Sequence, residues 1–347
     1  MLFTSDNASG AAPEILAALA QANDAGAMPY GNDPLTARVE ERVREIFEAP
    51  EAKVYLVSTG TAANALALAC LCPPWAQIYC QTKAHVEWDE CNAPEFYTGG
   101  AKLTLIAGEG ARIDAQGLRD AIAASAPVGV HNAQKGCVSI TQATELGAVY
   151  TVEQLAEIGA IAREAGIPVH MDGTRFANAV VRLNASPAEM TWKAGIDILC
   201  LGATKNGAMA AEAVILFDPA MAWEFELRRK RGGHLFSKMR FVAAQMDAYL
   251  TDGLWLRLAG HANAMADRLA AGVEAAGATV HQARGANMVF ARFSATQHQR
   301  LQAAGALYYP WAQGDDAAHP GHVSVRLVCS HTTEVEEVDR FCALLAA

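Results

Sequence analysis

The stretch VYLVSTGTAANALALACLC, residues 54–72, contains the pattern that is repeated through most of the chain. Residues 54–57 are apolar and β-prone, as expected of a short strand that is buried on both faces. Residues 58–61 (STGT) are small and polar, and the apolar run over 62–72 is long enough for a helix. We therefore predict a strand, a turn and a helix in that order, which is the building unit of a parallel sheet.

The same alternation recurs on both sides of this stretch. Upstream, Asp33-Pro34 has the residues of a helix start, an N-cap followed by proline at the first helical position. We predict an α/β fold in which a mostly parallel, mixed sheet is sandwiched by helices. The strands predicted for this sheet are 54–57, 78–80, 103–106, 138–141, 169–172, 196–200 and 213–217, and the clearest helices are 34–48, 62–72 and 151–165.

The pattern changes after about residue 250. The elements predicted there are a long helix over 254–276, strands near 287–293 and 322–328, and a final helix from about 333. This order is typical of a small α+β unit. We therefore predict two domains: an N-terminal segment with a large domain over residues 1–250, and a small C-terminal domain over 251–347.

The charge balance excludes two classes of partner. The 347 residues include 27 Lys and Arg against 37 Asp and Glu, which gives a net charge of −10. Because nucleic acid and anionic membranes both require a net basic face, we expect neither as a partner. The basic run RRKR, residues 228–231, is predicted to be a solvated helix end rather than a nucleic-acid patch.

The cysteines and histidines do not have the spacing of a metal site. None of the eight cysteines forms a C-x-x-C pair, and His319, His322 and His331 lack a ligand pattern, so we predict no metal and no disulfide framework. The longest apolar run, residues 62–72, is too short to cross a bilayer, and the first residues lack the features of a signal peptide. We expect a cytoplasmic protein with reduced thiols.

Polar residues that follow the predicted strands are the first candidates for function, because open α/β sheets bind ligands at the carboxyl ends of their strands. After the first strand, Thr59, Gly60 and Thr61 have the small size and helix-start position that suit an anion, although a turn capped by threonine is the simpler alternative. Asp172 ends another strand, where a buried charge needs a partner. That partner is either a cationic ring nitrogen or, if Asp172 merely caps a helix, Arg175.

Two further candidates follow other strands. Lys205 suits Schiff-base chemistry if it is buried, because burial lowers the pKa of lysine, and a loop lysine in solvent is the alternative. His85 is a base, a residue that stacks on a flat cofactor, or simply a histidine that is exposed or already hydrogen-bonded within the protein. An anion-binding turn, an acid and a lysine 33 residues after that acid together match what pyridoxal 5′-phosphate (PLP) requires.

These motifs resemble the low-specificity L-threonine aldolases, which belong to the aspartate-aminotransferase-like, fold type I group of PLP enzymes. The resemblance covers nearly the whole chain and implies a carbon–carbon lyase. Such an enzyme would cleave L-threonine, L-allo-threonine and related β-hydroxy-α-amino acids to glycine and an aldehyde. The matching segments are residues 5–7 (SDN), 30–34 (YGNDP), 59–64 (TGTAAN), 84–86 (AHV), 170–175 (HMDGTR), 204–207 (TKNG) and 325–328 (VRLV).

The resemblance also implies roles for single residues. The implied catalytic residues are Lys205, which would bind PLP covalently, His85, which would stack on its ring and transfer protons, and Asp172, which would pair with its ring nitrogen. The other implied cofactor contacts are Thr59, Gly60 and Thr61 at the phosphate, Arg175 at the phenolic oxygen, and Lys238. The implied substrate contacts are Ser5, Arg175 and Arg326 at the carboxylate, with Tyr30 and Lys238 reaching a neighbouring subunit's site in a homodimer or homotetramer.

Three positions depart from the family pattern, and one is the lysine loop ATKNG, residues 203–207, where relatives more often have Leu-Ser-Lys-Gly. Many relatives carry a second histidine where this sequence has TQATELG, residues 141–147, so the group that fills that role is open. Lys238 stands where relatives often carry arginine, whose fork binds phosphate in a bidentate manner. Three alternatives share the cofactor: a phenylserine-type aldolase, a β-eliminating lyase and a transaminase. The alternative from another class is a cofactor-free α/β protein that binds a sugar or a nucleotide.

Overall fold

The computed structural model describes residues 1–24, 26–125, 129–281, 285–311 and 316–347. The predicted helices and strands agree with its elements to within a few residues. The helices are α1 Pro13–Ala22, α2 Pro34–Ile46, α3 Gly60–Leu71, α4 His85–Trp88, α5 Ala93–Thr98, α6 Ala115–Ala124, α7 Val152–Ala165, α8 Phe176–Leu183, α9 Ala222–Arg231, α10 Arg240–Leu250, α11 Leu254–Ala275, α12 Ala295–Ala303 and α13 Val335–Ala346. The strands are β1 Lys53–Val57, β2 Ala76–Gln81, β3 Lys102–Ile106, β4 Gln134–Thr141, β5 Val169–Gly173, β6 Ile198–Gly202, β7 Glu212–Leu216, β8 Thr279–Val280, β9 Met288–Ser294, β10 Tyr309–Pro310 and β11 His322–Val328.

The first seven strands form one sheet in the order β1-β7-β6-β5-β4-β2-β3. The pairings from β6 through β5, β4 and β2 to β3 are parallel, whereas β7 runs antiparallel to both β6 and β1. Apolar side chains of α3 and α9 pack on one face, and those of α2, α7, α8 and α10 pack on the other. The predicted mixed, mostly parallel sheet between helices is therefore confirmed.

A second, antiparallel sheet of order β10-β11-β9-β8 packs against α11, α12 and α13. The N-terminal segment belongs to this packing. The fully buried Phe3 donates its N–H to the carbonyl of Leu307 at 2.8 Å, and its carbonyl accepts from the N–H of Val328 at 3.0 Å. Along the chain, β7 is the last strand of the first sheet and β8 is the first strand of the second. The domain boundary at residue 250 stays a prediction.

Helix α3 is held firmly in place at the carboxyl end of β1. Apart from Asn64 and the first turn it is apolar around its circumference, and nine of its twelve residues are buried. Such a helix is stable only when other elements cover it on all sides, and α3 packs against β6 and β7 among its neighbours. Since it begins directly after β1, this packing holds its N-terminus at the carboxyl end of that strand.

The basic run 228–231 ends α9, but the prediction that it is solvated is wrong for Arg229. This side chain is buried, with its guanidinium carbon 4.9 Å from the ring centre of Tyr55. Its Nη1 donates to the carbonyl of Leu56 at 3.4 Å. An aromatic face and a main-chain carbonyl therefore stabilise the charge in place of water.

Two other expectations from composition can be compared with the structure. All eight cysteines are free, in agreement with the prediction of reduced thiols. In the parts of the chain that the structure describes, no helix combines the length and the apolar character needed to cross a membrane.

Gly202, the last residue of β6, allows a close approach between two chain segments that carry candidate residues. A Cβ atom added to Gly202 would lie 2.7 Å from both the Cα and the carbonyl oxygen of Thr174, which follows β5. These are main-chain atoms, so the backbone itself would have to move. Gly260, within α11, is a useful contrast because a Cβ there would meet only a methyl group of Val181 at 3.7 Å.

We expect Gly202→Ala to lower the free energy of unfolding by about 1–3 kcal/mol, the usual cost of overpacking. Gly260→Ala is the matched control and should raise it by up to about 1 kcal/mol, because alanine favours the helix. Urea-induced unfolding followed by circular dichroism measures both. Equal stability of the two variants would contradict the close approach at Gly202.

Candidate active site

The carboxyl ends of β1, β5 and β6 surround a cavity of about 350 Å³. This volume is in the range of small-molecule pockets. Segments that are far apart in the sequence meet here, as the strand-end argument predicts. The side chains and main-chain groups that line the cavity include Thr59, Gly60, Thr61, His85, Asp89, Lys205 and Glu212.

Asp172 lies at the end of β5 and is 3% exposed. Its Oδ1 accepts from the N–H of Thr174 at 2.9 Å, and its Oδ2 accepts from Nδ2 of Asn64 at 2.9 Å. Burial alone raises the pKa of Asp172, but the charge of His85 and these hydrogen bonds outweigh burial, so its pKa lies below the ordinary value. The structure therefore holds Asp172 as a buried carboxylate. Arg175, the alternative partner, is paired elsewhere.

His85 begins α4 and belongs to the same hydrogen-bonded network. Its Nδ1 lies 2.8 Å from Oε1 of Glu90, and that oxygen also accepts from Nδ2 of Asn64 at 2.8 Å. The hydrogen bond to Glu90, supported by the charge of Asp172, raises the pKa of His85 in spite of burial. Since Glu90 engages Nδ1, Nε2 is the ring nitrogen that remains for a ligand in the cavity.

The ligand atoms of His85, Glu90 and Asp172 lie within 4.8 Å of one another, a spacing that could hold a cation. Each already has a protein partner, because Asn64 bridges the two carboxylates and Nδ1 of His85 bonds to Glu90. The geometry therefore fits an internal hydrogen-bonded network, and the absence of a metal stays a prediction.

Glu145 lies within residues 141–147 and holds the main chain of His85. Its Oε1 accepts from the N–H of His85 at 2.8 Å and from Oγ1 of Thr141 at 2.7 Å. Its Oε2 is buried and has no hydrogen-bond partner among the residues that the structure describes. Burial raises the pKa of Glu145 to about 7 against the effect of those hydrogen bonds. The carboxyl takes the place of a side-chain cap at the start of α4, where Ala84 cannot provide one.

Lys205 follows β6 in a short 3-10 turn and borders the cavity. Burial, and then the charge of Arg175, lowers the pKa of Lys205, while Asp6, Asp172 and Glu212 oppose this change. A lysine with a lowered pKa is a better nucleophile near neutral pH. Lys205 is half-buried at the cavity rather than fully solvated, and its role in Schiff-base chemistry stays a prediction.

The turn after β1 presents the N-terminus of α3 to the cavity. Oγ1 of Thr59 caps this helix by accepting from the N–H of Ala62 at 3.2 Å. The N–H groups of Gly60 and Thr61 precede the first hydrogen bond of the helix, so no helical carbonyl accepts from them. The anion-binding turn and the threonine-capped turn predicted from the sequence are therefore compatible. A helix start capped by threonine also presents free amide N–H groups that can bind an anion.

Arg175 makes a buried, bidentate ion pair that the sequence did not predict. Its Nε and Nη2 lie 2.8 and 2.9 Å from the two carboxylate oxygens of Asp6. Asp6 is 2% exposed and also accepts from Nδ2 of Asn287 at 3.0 Å. Burial opposes ionisation of Asp6, but Arg175 lowers its pKa below the ordinary value. One side of the Arg175 fork is therefore occupied by Asp6.

Arg326 in β11 is half-buried and lies close enough to Arg175 for their charges to interact. Its Nε is buried and has no hydrogen-bond partner within the described ranges. Burial, and then the charge of Arg175, lowers the pKa of Arg326. Ser5 lies beside Asp6, with its Oγ accepting from the N–H of Asn7 at 3.1 Å. Arg326 therefore has a free N–H donor, whereas Arg175 already donates two of its N–H groups to Asp6.

Tyr30 and Lys238 lie apart from this cavity. Tyr30 is 46% exposed, its N–H donates to the carbonyl of Ser237 at 3.0 Å, and its ring centre lies 5.2 Å from Nζ of Lys230. Lys238 is also exposed. Neither residue borders the cavity of its own chain, and their contribution to a neighbouring subunit stays a prediction.

Sequence reasoning missed the polar groups that support the candidates. A weak signal existed for some of them. Glu90 follows His85 by five residues, and Glu212 is a lone charge at the start of an apolar strand. The missed groups are Asp6, Asn64, Glu90, Glu145, Glu212 and Asn287.

Comparisons with known proteins agree with this geometry. The family model described as beta-eliminating lyase matches residues 3–296. The low specificity L-threonine aldolase of Pseudomonas aeruginosa is 42% identical, covering 97% of this chain and 94% of the relative. The solved structure of Leishmania major threonine aldolase superposes with a TM-score of 0.93 at 27% identity, over 99% of this chain and 98% of that chain. A structure of SPT with PLP shares the fold, with a TM-score of 0.69 at 15% identity over 100% of this chain and 86% of that chain.

The family model covers well over half of the sequence, and the Pseudomonas relative is aligned along almost all of it. The structural match likewise spans both sheets. The chain therefore belongs to the beta-eliminating lyase family and, within it, to the low-specificity L-threonine aldolases.

Proposed function

We propose that this protein is a PLP-dependent aldolase that cleaves L-threonine, L-allo-threonine and related β-hydroxy-α-amino acids to glycine and an aldehyde. The observation that carries the proposal is that the buried Asp172 and the half-buried Lys205 lie at the same edge of the sheet, where the pKa of each is lowered. The names of the relatives support the same class of reaction.

The residues at the cavity fit PLP. Asp172 would pair with the protonated ring nitrogen, and Lys205 would supply the amine for covalent attachment. Gly60 and Thr61 would donate their amides to the phosphate, and His85 would lie against the ring. When bound, PLP supplies an electron sink for the electrons of the breaking Cα–Cβ bond.

His85 is our candidate for the general base. Because Glu90 engages Nδ1, Nε2 is free to take the proton from the β-hydroxyl oxygen of the substrate. The raised pKa of His85 makes it a stronger base than an isolated imidazole. Glu145 holds the main chain of His85, so we propose that it fills the place of the family's second histidine by positioning this base.

Arg326 is our candidate for the main contact of the substrate carboxylate. Its buried Nε has donor capacity to offer, whereas Asp6 already binds two nitrogens of Arg175. A guanidinium fork matches a carboxylate in charge and in shape. Arg175 and Ser5 would complete the contact with the carboxylate.

We also propose that the active protein is a homodimer or a homotetramer with shared sites. Among the described residues that line the cavity, Lys205 and His85 are the groups able to carry positive charge. A phosphate would gain from a further cation, and we propose that the exposed Lys238 of a neighbouring chain, together with its Tyr30, would supply it.

Beta-elimination is the second candidate, because the family model carries that description. It would use the same Lys205 and Asp172, so the products must distinguish the two reactions. An aldolase yields glycine and an aldehyde, whereas a β-eliminating lyase yields ammonia and a keto acid.

We expect the purified protein with PLP to convert L-threonine and L-allo-threonine to glycine and acetaldehyde, and L-phenylserine to glycine and benzaldehyde. Lys205→Ala should lose both the visible absorbance of lysine-bound PLP and the formation of glycine, because the attachment point is gone. Amino-acid analysis and an aldehyde assay measure the products. Ammonia and a keto acid without glycine would favour the second candidate, and a protein that stays colourless with PLP would contradict both.

Asp172→Asn should lower turnover by about a hundredfold or more, because a neutral amide cannot sustain the ring-nitrogen proton. Asp197→Asn is the matched control. Asp197 is a carboxylate at the opposite edge of the same sheet, where it accepts from the N–H of Val169 at 2.7 Å. Glycine formation per folded protein should be near wild type in the control. Near wild-type turnover of Asp172→Asn would refute the assignment of Asp172.

Glu145→Gln should reduce the pH dependence of stability. In the folded protein the pKa of Glu145 is about 7, above its usual value, so the folded state keeps a proton that the unfolded state has lost. Stability therefore falls as pH rises from about 5 to about 7, and removing this group should make the fall smaller. Thermal unfolding at several pH values measures the effect, with the exposed Glu153→Gln as control. An unchanged pH profile would show that Glu145 does not titrate in this window.

A further inference from the structure

Glu212 occupies an unusual place for an acidic residue. It is the first residue of β7, and it lies opposite Val57 of β1 and Gly202 of β6. Because β7 runs antiparallel to both neighbours, its first residue lies at the edge where those strands end. Glu212 is 6% exposed and borders the cavity between the turn after β1 and the Lys205 turn. A carboxyl therefore lies in the same cavity as the proposed phosphate site.

The groups around Glu212 offer too little positive charge to neutralise both an ionised Glu212 and a bound phosphate. The described cavity-lining groups that can carry charge are His85, Asp89, Lys205 and Glu212, and the buried Asp172 is near enough for its charge to act on Glu212. His85 is already paired with Glu90, which leaves Lys205 as the cation whose charge acts on Glu212. Like charges held close together in a buried site cannot both persist, so a bound phosphate and an ionised Glu212 oppose each other.

We propose that Glu212 takes up a proton from solvent when the cavity binds a phosphate monoester. The protonated carboxyl then keeps its hydrogen bond with Thr204 without repelling the anion. No covalent bond changes, and the only exchange is one proton from solvent. The inference rests on the proposed function, in which the phosphate is that of PLP.

The properties of the ligand-free protein support this coupling. Burial raises the pKa of Glu212 to about 7, although Thr204 and Lys205 oppose the rise. The group is therefore divided between its two forms near neutral pH, and a nearby anion would favour the protonated form. As pH rises above this pKa, more of the ligand-free protein carries the ionised carboxyl, and each binding event must first protonate it. Binding should therefore weaken with rising pH.

The test uses the ligand-free protein and pyridoxine 5′-phosphate, which has the phosphate but no aldehyde to react with Lys205. Isothermal titration calorimetry from about pH 7 to about pH 8.5 avoids the second ionisation of the phosphate, which has a pKa of about 6. In the wild type, Kd should rise by about tenfold per pH unit, with an uptake of about one proton per ligand at the upper end. Buffers of different ionisation enthalpy measure that uptake.

Variants show whether Glu212 or another titrating group causes the pH dependence of Kd. Glu212→Gln should bind with a Kd that stays nearly constant over this range and should take up no proton. Asp197→Asn is the matched control, because Asp197 is a carboxyl whose pKa is raised by burial but which lies at the opposite edge of the sheet and does not border the cavity, so its pH slope should match the wild type. If loss of charge on His85 or Lys205 caused the weaker binding instead, the pH slope would persist in Glu212→Gln.

A wild-type Kd that is constant or falls with pH, or a slope that persists in Glu212→Gln, would overturn the inference. If Glu212→Gln fails to fold, Glu212→Ala provides the same comparison, and a wild type that takes up no proton on binding would overturn the inference without any variant. A wild type that does not bind the probe overturns the phosphate site and the inference with it. Proton-linked binding by a protein that makes no glycine from L-threonine would leave this inference standing and refute the proposed function.

Discussion

The buried charge of Asp172 is the constraint around which the site is arranged. A carboxylate at the end of a central strand is costly unless other groups stabilise its charge. The N–H of Thr174, the amide of Asn64 and the charge of His85 do so, and they come from three separate segments of the chain. The positions of α3, α4 and the turn after β5 are therefore linked through one negative charge.

A second buried charge connects the two sheets. Asp6 in the N-terminal segment binds two residues. One is Arg175, which follows β5 of the first sheet, and the other is Asn287, which precedes β9 of the second sheet. Phe3, a few residues earlier, is packed in the core of the second sheet. The first residues of the chain thus belong structurally with the last hundred, and the carboxylate-binding candidates Arg175 and Arg326 meet where these parts join.

Four carboxyls near the cavity have different protonation behaviour because their surroundings differ. Asp172 has a lowered pKa, whereas burial raises those of Glu90, Glu145 and Glu212. Cations and hydrogen-bond donors decide the difference. The net charge of −10 therefore says little about the site, where buried acids are poised between charged and neutral forms and Lys205 has a lowered pKa.

By itself the sequence determined the order of strands and helices, the mixed parallel sheet, and the placement of Thr59, Asp172 and Lys205 at strand ends. These are local properties, since apolar periodicity and turn residues act over a few neighbouring positions. Only the tertiary structure decided that Glu90, Asn64 and Asp172 form one network, that Asp6 pairs with Arg175, and that Glu145 holds His85. It also decided that Glu212 borders the same cavity as the turn after β1. An acidic residue looks the same in a sequence whether it is solvated or buried, because hydrogen bonding and pKa depend on neighbours that only packing brings together.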